Sequence, residues 1–208
     1  MLEDIEVWLS EWLGDPGFSL VRLKGDASLR AFYRVRGSGG SSVVMDSGQG
    51  DLSSFLDVHD LLRSNGFPVP EILHRNLERQ WIVLEDLGDT RLLDLENLER
   101  RTAVDQALDL LASMQAALRG AKTAGSVAGK RSFTPSFFMA ELEHTILHLF
   151  FRLLGVPEDR LRALQAELRK LCSSAAEAPR VFLHRDFHSA NLMVTGRGLV
   201  MVDFQDAR

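Results

Sequence analysis

The spacing of hydrophobic and polar positions changes along the chain, and each change predicts an element. Leu2, Ile5, Trp8, Leu9, Trp12 and Leu13 recur at helical spacing and Gly14 supplies a stop, so residues 2–13 read as an amphipathic helix. That spacing makes Trp8 and Trp12 part of a core stripe rather than a ligand-stacking pair. From Phe18 the period becomes two. Phe18–Lys24, Ala31–Arg36 and Ser42–Asp46 predict three short antiparallel strands, separated by turn-forming residues at 25–28 and 37–42. Residues 52–64 return to the helical period and stop at Asn65 and Gly66; Pro68 and Pro70 break the chain before Ile72–His74. A further strand, Trp81–Glu85, runs into Asp86, Leu87 and Gly88.

The second half is mainly helical, with segments predicted at about 97–119, 135–154 and 158–176. Thr134 before Pro135 is a cap followed by proline at the first helical position. The glycine-containing stretch 120–131 reads as a mobile loop. Two short runs, Leu192–Thr195 and Leu199–Asp203, flank a turn at Gly196, Arg197 and Gly198. The pattern is α+β: a small β-rich lobe over residues 1–88 and a helical lobe over 89–208, with no internal repeat.

Composition narrows the function classes. With 208 residues, 45% hydrophobic and 25% charged, the chain has the balance of an ordinary globular protein. A formal net charge of −5 lacks the basic field that nucleic-acid binding needs. The single cysteine, Cys172, excludes an internal disulfide, fits a reducing compartment and reads as a small buried apolar residue. The first turn carries Glu3, Asp4 and Glu6 instead of a basic flank, and no apolar run reaches the ~18–20 residues that span a bilayer. The expectation is a cytoplasmic protein with small-molecule partners, neither nucleic acid nor membrane.

The chemistry concentrates near the end. His184-Arg185-Asp186-Phe187-His188 is followed by Asn191, five residues past Asp186, and by Asp203 twelve residues further on, after an apolar run. Phosphoryl transfer to a hydroxyl needs a carboxylate that orients the hydroxyl or accepts its proton, and oxygen ligands for Mg²⁺ beside the phosphates. An Asp, an Asn five residues on and a second Asp past the next hairpin meet that need; kinase catalytic and metal loops have this order. The turn Gly25, Asp26, Ala27 and Ser28 between two strands can set backbone amides and a hydroxyl over phosphates. Glu85 and Leu87, at the end of a strand and before the helical lobe, sit where a hinge offers backbone groups to an adenine edge. His144 and His148, four apart with Glu141 nearby, lack a metalloprotease pattern or a third ligand, and do not read as a metal site. Glu96–Arg101 reads as a solvated helix start.

Residues 25–35, Val43–Asp46, Leu84–Asp89, His184–Met193 and Val202–Ala207 resemble the aminoglycoside phosphotransferase family, most closely its N-acetylmuramate/N-acetylglucosamine 1-kinase branch. The resemblance runs in order from about residue 18 to the end. It implies a protein-kinase-like fold of two lobes and ATP-dependent phosphorylation of a small sugar, with the anomeric hydroxyl as the leading acceptor. By motif match Asp186 is the catalytic base, and Asn191 and Asp203 hold Mg²⁺. His188, Glu141 and His144 are candidate sugar contacts.

Two departures qualify the match. None of the four lysines lies on the third strand, where kinases place the lysine that pairs with the phosphates; Met45 or Asp46 stands there. Either Arg30 or Arg34 supplies the charge, or phosphate positioning is weak. The chain also stops at Arg208, where family members continue into helices that build much of the acceptor site. The expectation is an incomplete helical lobe, with at most weak Mg-ATP binding and little sugar phosphorylation by this chain. The alternatives are another small-molecule kinase, acting on an aminoglycoside or choline-like acceptor, and an inactive nucleotide-binding fragment.

Overall fold

A computed structural model describes residues 2–23, 30–48 and 50–208. Helix α1 (Leu2–Leu13) is followed by strands β1 (Ser19–Arg22), β2 (Ala31–Gly37) and β3 (Gly40–Asp46), helix α2 (Leu52–Ser64), and strands β4 (Ile72–Asn76) and β5 (Trp81–Glu85). The five strands form one antiparallel sheet in the order β1-β2-β3-β5-β4. Ile5 and Leu9 of α1 are fully buried against Tyr33, Val35, Val44, Trp81 and Val83, one alternating set of strand positions. The other set, which includes Phe32, Arg34, Met45, Ile82 and Leu84, takes the opposite face because side chains alternate along a strand. Trp8 and Trp12 stack on the two sides of His74, with ring centroids 5.2 and 5.5 Å apart. The two indoles therefore close on a residue of the fold, in line with a core stripe.

Helix α2 begins at a strong cap. The Asp51 carboxylate accepts from the Ser54 amide and from the hydroxyls of Ser53 and Ser54. These bonds hold its pKa down, to about 2. A 3₁₀ turn (Leu92–Asp94) leads into helix α3 (Asn97–Ala117).

The helical segments that follow are α4 (Val127–Lys130), α5 (Pro135–Thr145), a π-helical stretch (Ile146–Leu153) and α6 (Glu158–Ala176). The Thr134 hydroxyl caps α5 by accepting from the Phe137 amide, with Pro135 in its first turn. Two sequence expectations change here. The stretch expected as a loop over 120–131 contains a 3₁₀ turn and α4, organised by Ser126, whose hydroxyl accepts from the Gly129 amide and donates to the Thr123 carbonyl. The single helix expected over 135–154 widens after Thr145 into i→i+5 bonding, as in Leu154 N–H to the Leu149 carbonyl at 2.9 Å.

A last 3₁₀ turn (Ser189–Asn191) opens the hairpin β6 (Leu192–Thr195)–β7 (Gly198–Met201). The chain divides into two compact units, one of residues 1–117 with 184–207, the other of residues 118–183 with Arg208. This division does not fall at residue 88. The β6–β7 hairpin returns to the first unit through Val194 N–H to the Thr90 carbonyl and Met201 N–H to the Pro68 carbonyl, both 2.9 Å.

Candidate active site

The residues from His184 to Asp203 converge within the first unit. The His188 amide donates to the Asp186 carbonyl at 3.0 Å and the Asn191 amide to the His188 carbonyl at 2.9 Å, so the loop folds over itself. Asn191 Nδ2 donates to the Asp186 carbonyl at 3.1 Å. The Val202 amide donates to the Asn191 carbonyl at 3.0 Å and brings the start of the Asp203 segment beside Asn191. The carboxylates of Asp186, Asp203 and Asp206 are all exposed. Arg185 and Asp203 hold φ of 76° and 63°, left-handed conformations that non-glycine residues rarely adopt. Two such residues beside converging polar groups are the kind of backbone strain that marks functional sites.

Buried aromatic packing fixes this strained segment. Phe204, next to Asp203, is fully buried and lies 5.0 Å from Phe55 and 6.2 Å from His59, ring to ring, both on α2. His59 Nε2 is 2.9 Å from the Pro70 carbonyl. Beneath the loop the His184 ring is buried edge-on to Phe187. Burial pushes its pKa down against the pull of Asp203 and Asp186, which favours the neutral imidazole.

The expected site residues fare differently. His188 is exposed and also contacts its own loop: its Nδ1 accepts from the Ala190 amide and its Nε2 is 3.3 Å from Asn191 Nδ2. Gly25, Asp26, Ala27 and Ser28 lie outside the described residues. Glu141 and His144 lie on α5, in the second unit. Met45 is buried, and the buried Asp46 accepts from the Gly48 amide at 3.0 Å, so neither offers a cation where kinases carry the strand lysine. The two candidate arginines separate clearly. Arg34 is committed to the segment after β5, where it binds Asp86, Gly88 and Asp89, which removes it from the phosphate role expected of it. Arg30 is half-buried, with Nη2 3.4 Å from the Asp51 carbonyl. Burial lowers its pKa, and the charges of Asp203, Asp206 and Asp51 oppose that shift.

Sequence reasoning missed Asp206, Asp51 and Arg197. Arg197, in the β6–β7 turn, reaches the Glu85 carboxylate at 2.5 Å. Glu85 Oε2 also accepts from the Glu71 amide at 3.1 Å, so this side chain braces the strand end rather than facing a nucleobase. A basic residue between two turn glycines was the available signal.

The donor set fits Mg²⁺ in chemistry. Asp203 and the Asn191 amide oxygen are hard oxygen ligands, and a site with few protein ligands suits an ion that keeps waters and binds phosphate oxygens. Among the described residues there is no group of three or more His, Cys, Asp or Glu that could hold a metal ion. Among the same residues no helix is long and apolar enough to cross a membrane.

Comparison with known proteins gives the family and the fold. The chain is 33% identical over 210 residues to an N-acetylmuramate/N-acetylglucosamine kinase of Pseudomonas aeruginosa, covering 97% of this chain and 60% of that protein. It thus spans about three fifths of the length of the curated relatives it matches. The choline kinase LicA of Streptococcus pneumoniae superposes with a TM-score of 0.68 at 17% identity, over 100% of this chain and 69% of that one. A thermostable mutant of aminoglycoside phosphotransferase APH(4)-Ia, in ternary complex with ADP and hygromycin B, gives 0.65 at 17% identity, over 98% and 71%. The fold is therefore α+β and kinase-like, as the motifs implied. With residues 19–208 matching its family model, the chain belongs to the phosphotransferase enzyme family.

Proposed function

We propose that the protein transfers the γ-phosphate of ATP to a hydroxyl of a small amino sugar, N-acetylmuramate or N-acetylglucosamine at the anomeric position, in the cytoplasm. The observation that carries this reading is the convergence of Asp186, Asn191 and Asp203 on one strained, aromatic-anchored loop pair. Relatives known as N-acetylmuramate/N-acetylglucosamine kinases support the acceptor class, and neighbours holding ADP or AMP-PNP support the nucleotide.

Asp186 orients the acceptor hydroxyl and takes its proton at a carboxylate oxygen. The acceptor oxygen forms its bond to the γ-phosphorus as the bond to the β–γ bridging oxygen breaks, and ADP leaves with that electron pair. Asn191 Oδ1 and Asp203 would hold Mg²⁺, which when bound neutralises charge on the β- and γ-phosphates. Arg30, rather than Arg34, supplies the cation that kinases draw from the third strand. Glu85 and Leu87 offer backbone groups to adenine.

The test is an ADP-release assay with N-acetylmuramate, N-acetylglucosamine, an aminoglycoside and choline as acceptors. Sugar-dependent release that is lost in Asp186→Asn supports the reading. Release with choline or the aminoglycoside alone replaces the acceptor, and no acceptor-dependent release overturns the reading for this chain.

A further inference from the structure

The last residue of β5 and the four that follow, Glu85 to Asp89, are held by two arginines. Arg34 projects from the face of β2 opposite α1 and pairs with two carboxylates, hydrogen-bonding Asp86 through Nη2 and Asp89 through Nη1. Its Nε lies 2.9 Å from Asp86 Oδ2 and its Nη2 3.1 Å from Asp86 Oδ1. Its Nη1 lies 3.0 Å from Asp89 Oδ2 and its Nη2 2.8 Å from Asp89 Oδ1. Nη2 also donates to the Gly88 carbonyl at 3.1 Å. The Arg34 and Asp86 side chains are only 9% and 7% exposed, so this pairing is shielded from water. Asp86 further accepts from the Gly88 amide at 3.0 Å, closing a turn in which Gly88 takes a φ of 80° that a side chain would strain. The second arginine, Arg197, reaches Glu85 and belongs to the hairpin that joins Asn191 to Asp203.

We propose that Arg34 and Arg197 are positioning residues that hold the 85–89 segment in its nucleobase-reading shape before nucleotide arrives, Arg34 from the sheet and Arg197 from the metal-bearing hairpin. The inference rests on the ATP reading above and extends it. A guanidinium that spans two carboxylates and a carbonyl fixes three points of a four-residue segment, which a lysine cannot do. The segment then enters binding already ordered, and the ordering cost falls on folding instead of on nucleotide association. Arg197 links the same segment to the metal ligands, so the adenine end and the phosphate end keep a common register.

The experiment combines amide hydrogen exchange with calorimetric titration of adenosine, AMP and Mg-ATP, on the wild-type chain and on Arg34→Met, Arg34→Lys and Arg197→Met. Arg34→Met is expected to speed exchange at residues 86–89 while β2–β3 amides keep their rates. It lowers affinity for all three ligands by one common factor, about tenfold where the competent shape falls to a tenth of the population. Arg34→Lys is expected to lie between the two. Arg197→Met, an exposed change that leaves packing alone, gives a smaller loss of the same uniform kind. Losses that grow from adenosine to Mg-ATP would make Arg34 a phosphate ligand and overturn the proposal, as would unchanged adenosine affinity or unchanged exchange at 86–89. A wild-type chain that binds none of the three ligands would overturn the nucleotide reading itself, a result distinct from variants that bind as wild type does.

Discussion

The two ends of the candidate site treat charge in opposite ways. After β5, the buried Asp86 is neutralised by a buried arginine, and its carboxyl is held below the usual carboxylate range. Burial alone would raise that pKa, but hydrogen bonds from Ser41, Gly88 and Arg34, with the Arg34 charge, outweigh it. At the loop end Asp186, Asp203 and Asp206 are exposed, with Arg185 4.0 Å from Asp206 and the charges of Asp203 and Asp206 acting on Arg30. The first end is electrostatically complete within the protein. The second carries a surplus of carboxylate that a bound cation can balance. Folding stability should therefore depend on the first and turnover on the second.

The sharpest way to break that contrast is at Asp186. Asp186→Asn keeps size and polarity and removes the base, so kcat should fall by about 10²- to 10⁴-fold with little change in nucleotide affinity. Steady-state kinetics with a responsive acceptor checks this, and a kcat within a few-fold of wild type would take the role from Asp186. The unfolding free energy should barely move, because the side chain is exposed.

Arg34→Met is the mirror case. It leaves Asp86 charged and shielded, and breaking one partner of such a pair costs about 3 kcal/mol of stability. Asp203→Asn, at the exposed end, should change stability by no more than about 0.5 kcal/mol. Urea unfolding of the two variants decides the matter, and equal costs would erase the distinction. Arg30→Ala then probes the open end from its cationic side. A charge-assisted bond is worth about 1.5–3 kcal/mol, so ATP affinity should fall about ten- to a hundredfold while AMP affinity stays within a few-fold. Equal losses for both nucleotides would place Arg30 away from the outer phosphates.

Much of this was legible because local rules carried it. Strand alternation, the Thr134–Pro135 cap and the glycine stops marked elements that the fold reproduces, and the segments carrying Asn191 and Asp203 are joined by the Val202 amide to the Asn191 carbonyl. What stayed hidden depends on partners far apart in sequence. Arg30 and Arg34 are equivalent by pattern, and only the meeting of β2 with Asp86 and Asp89, more than fifty residues away, separates them. The capping of a 3₁₀ turn by the His188 ring, which accepts from the Ala190 amide, has no sequence signature. The widening of the helix after Thr145 likewise left no trace in the apolar spacing.

The smallest effect tests whether an acid at the open end can behave like one at the closed end. Asp51 lies beside Arg30, yet its carboxylate is satisfied within its own turn by Ser53 and Ser54. Those bonds lower its pKa from 3.8 to about 2. A depressed carboxylate contributes stability fully above its unfolded pKa and loses it as pH falls through the folded value. The window is therefore from about pH 4 down to about pH 2. The residue is exposed, so solvent screening and the usual worth of an N-cap set the contribution at about 1 kcal/mol. Asn caps helices as well as Asp, so Asp51→Asn should match wild type at pH 7 within about 0.5 kcal/mol and lose about 1 kcal/mol less on acidification. Denaturant midpoints measured from pH 5 to pH 2 give the comparison. Curves that fall in parallel for the two proteins would show that the Asp51 charge contributes nothing to holding α2, and that the open end lacks any acid of the self-contained kind.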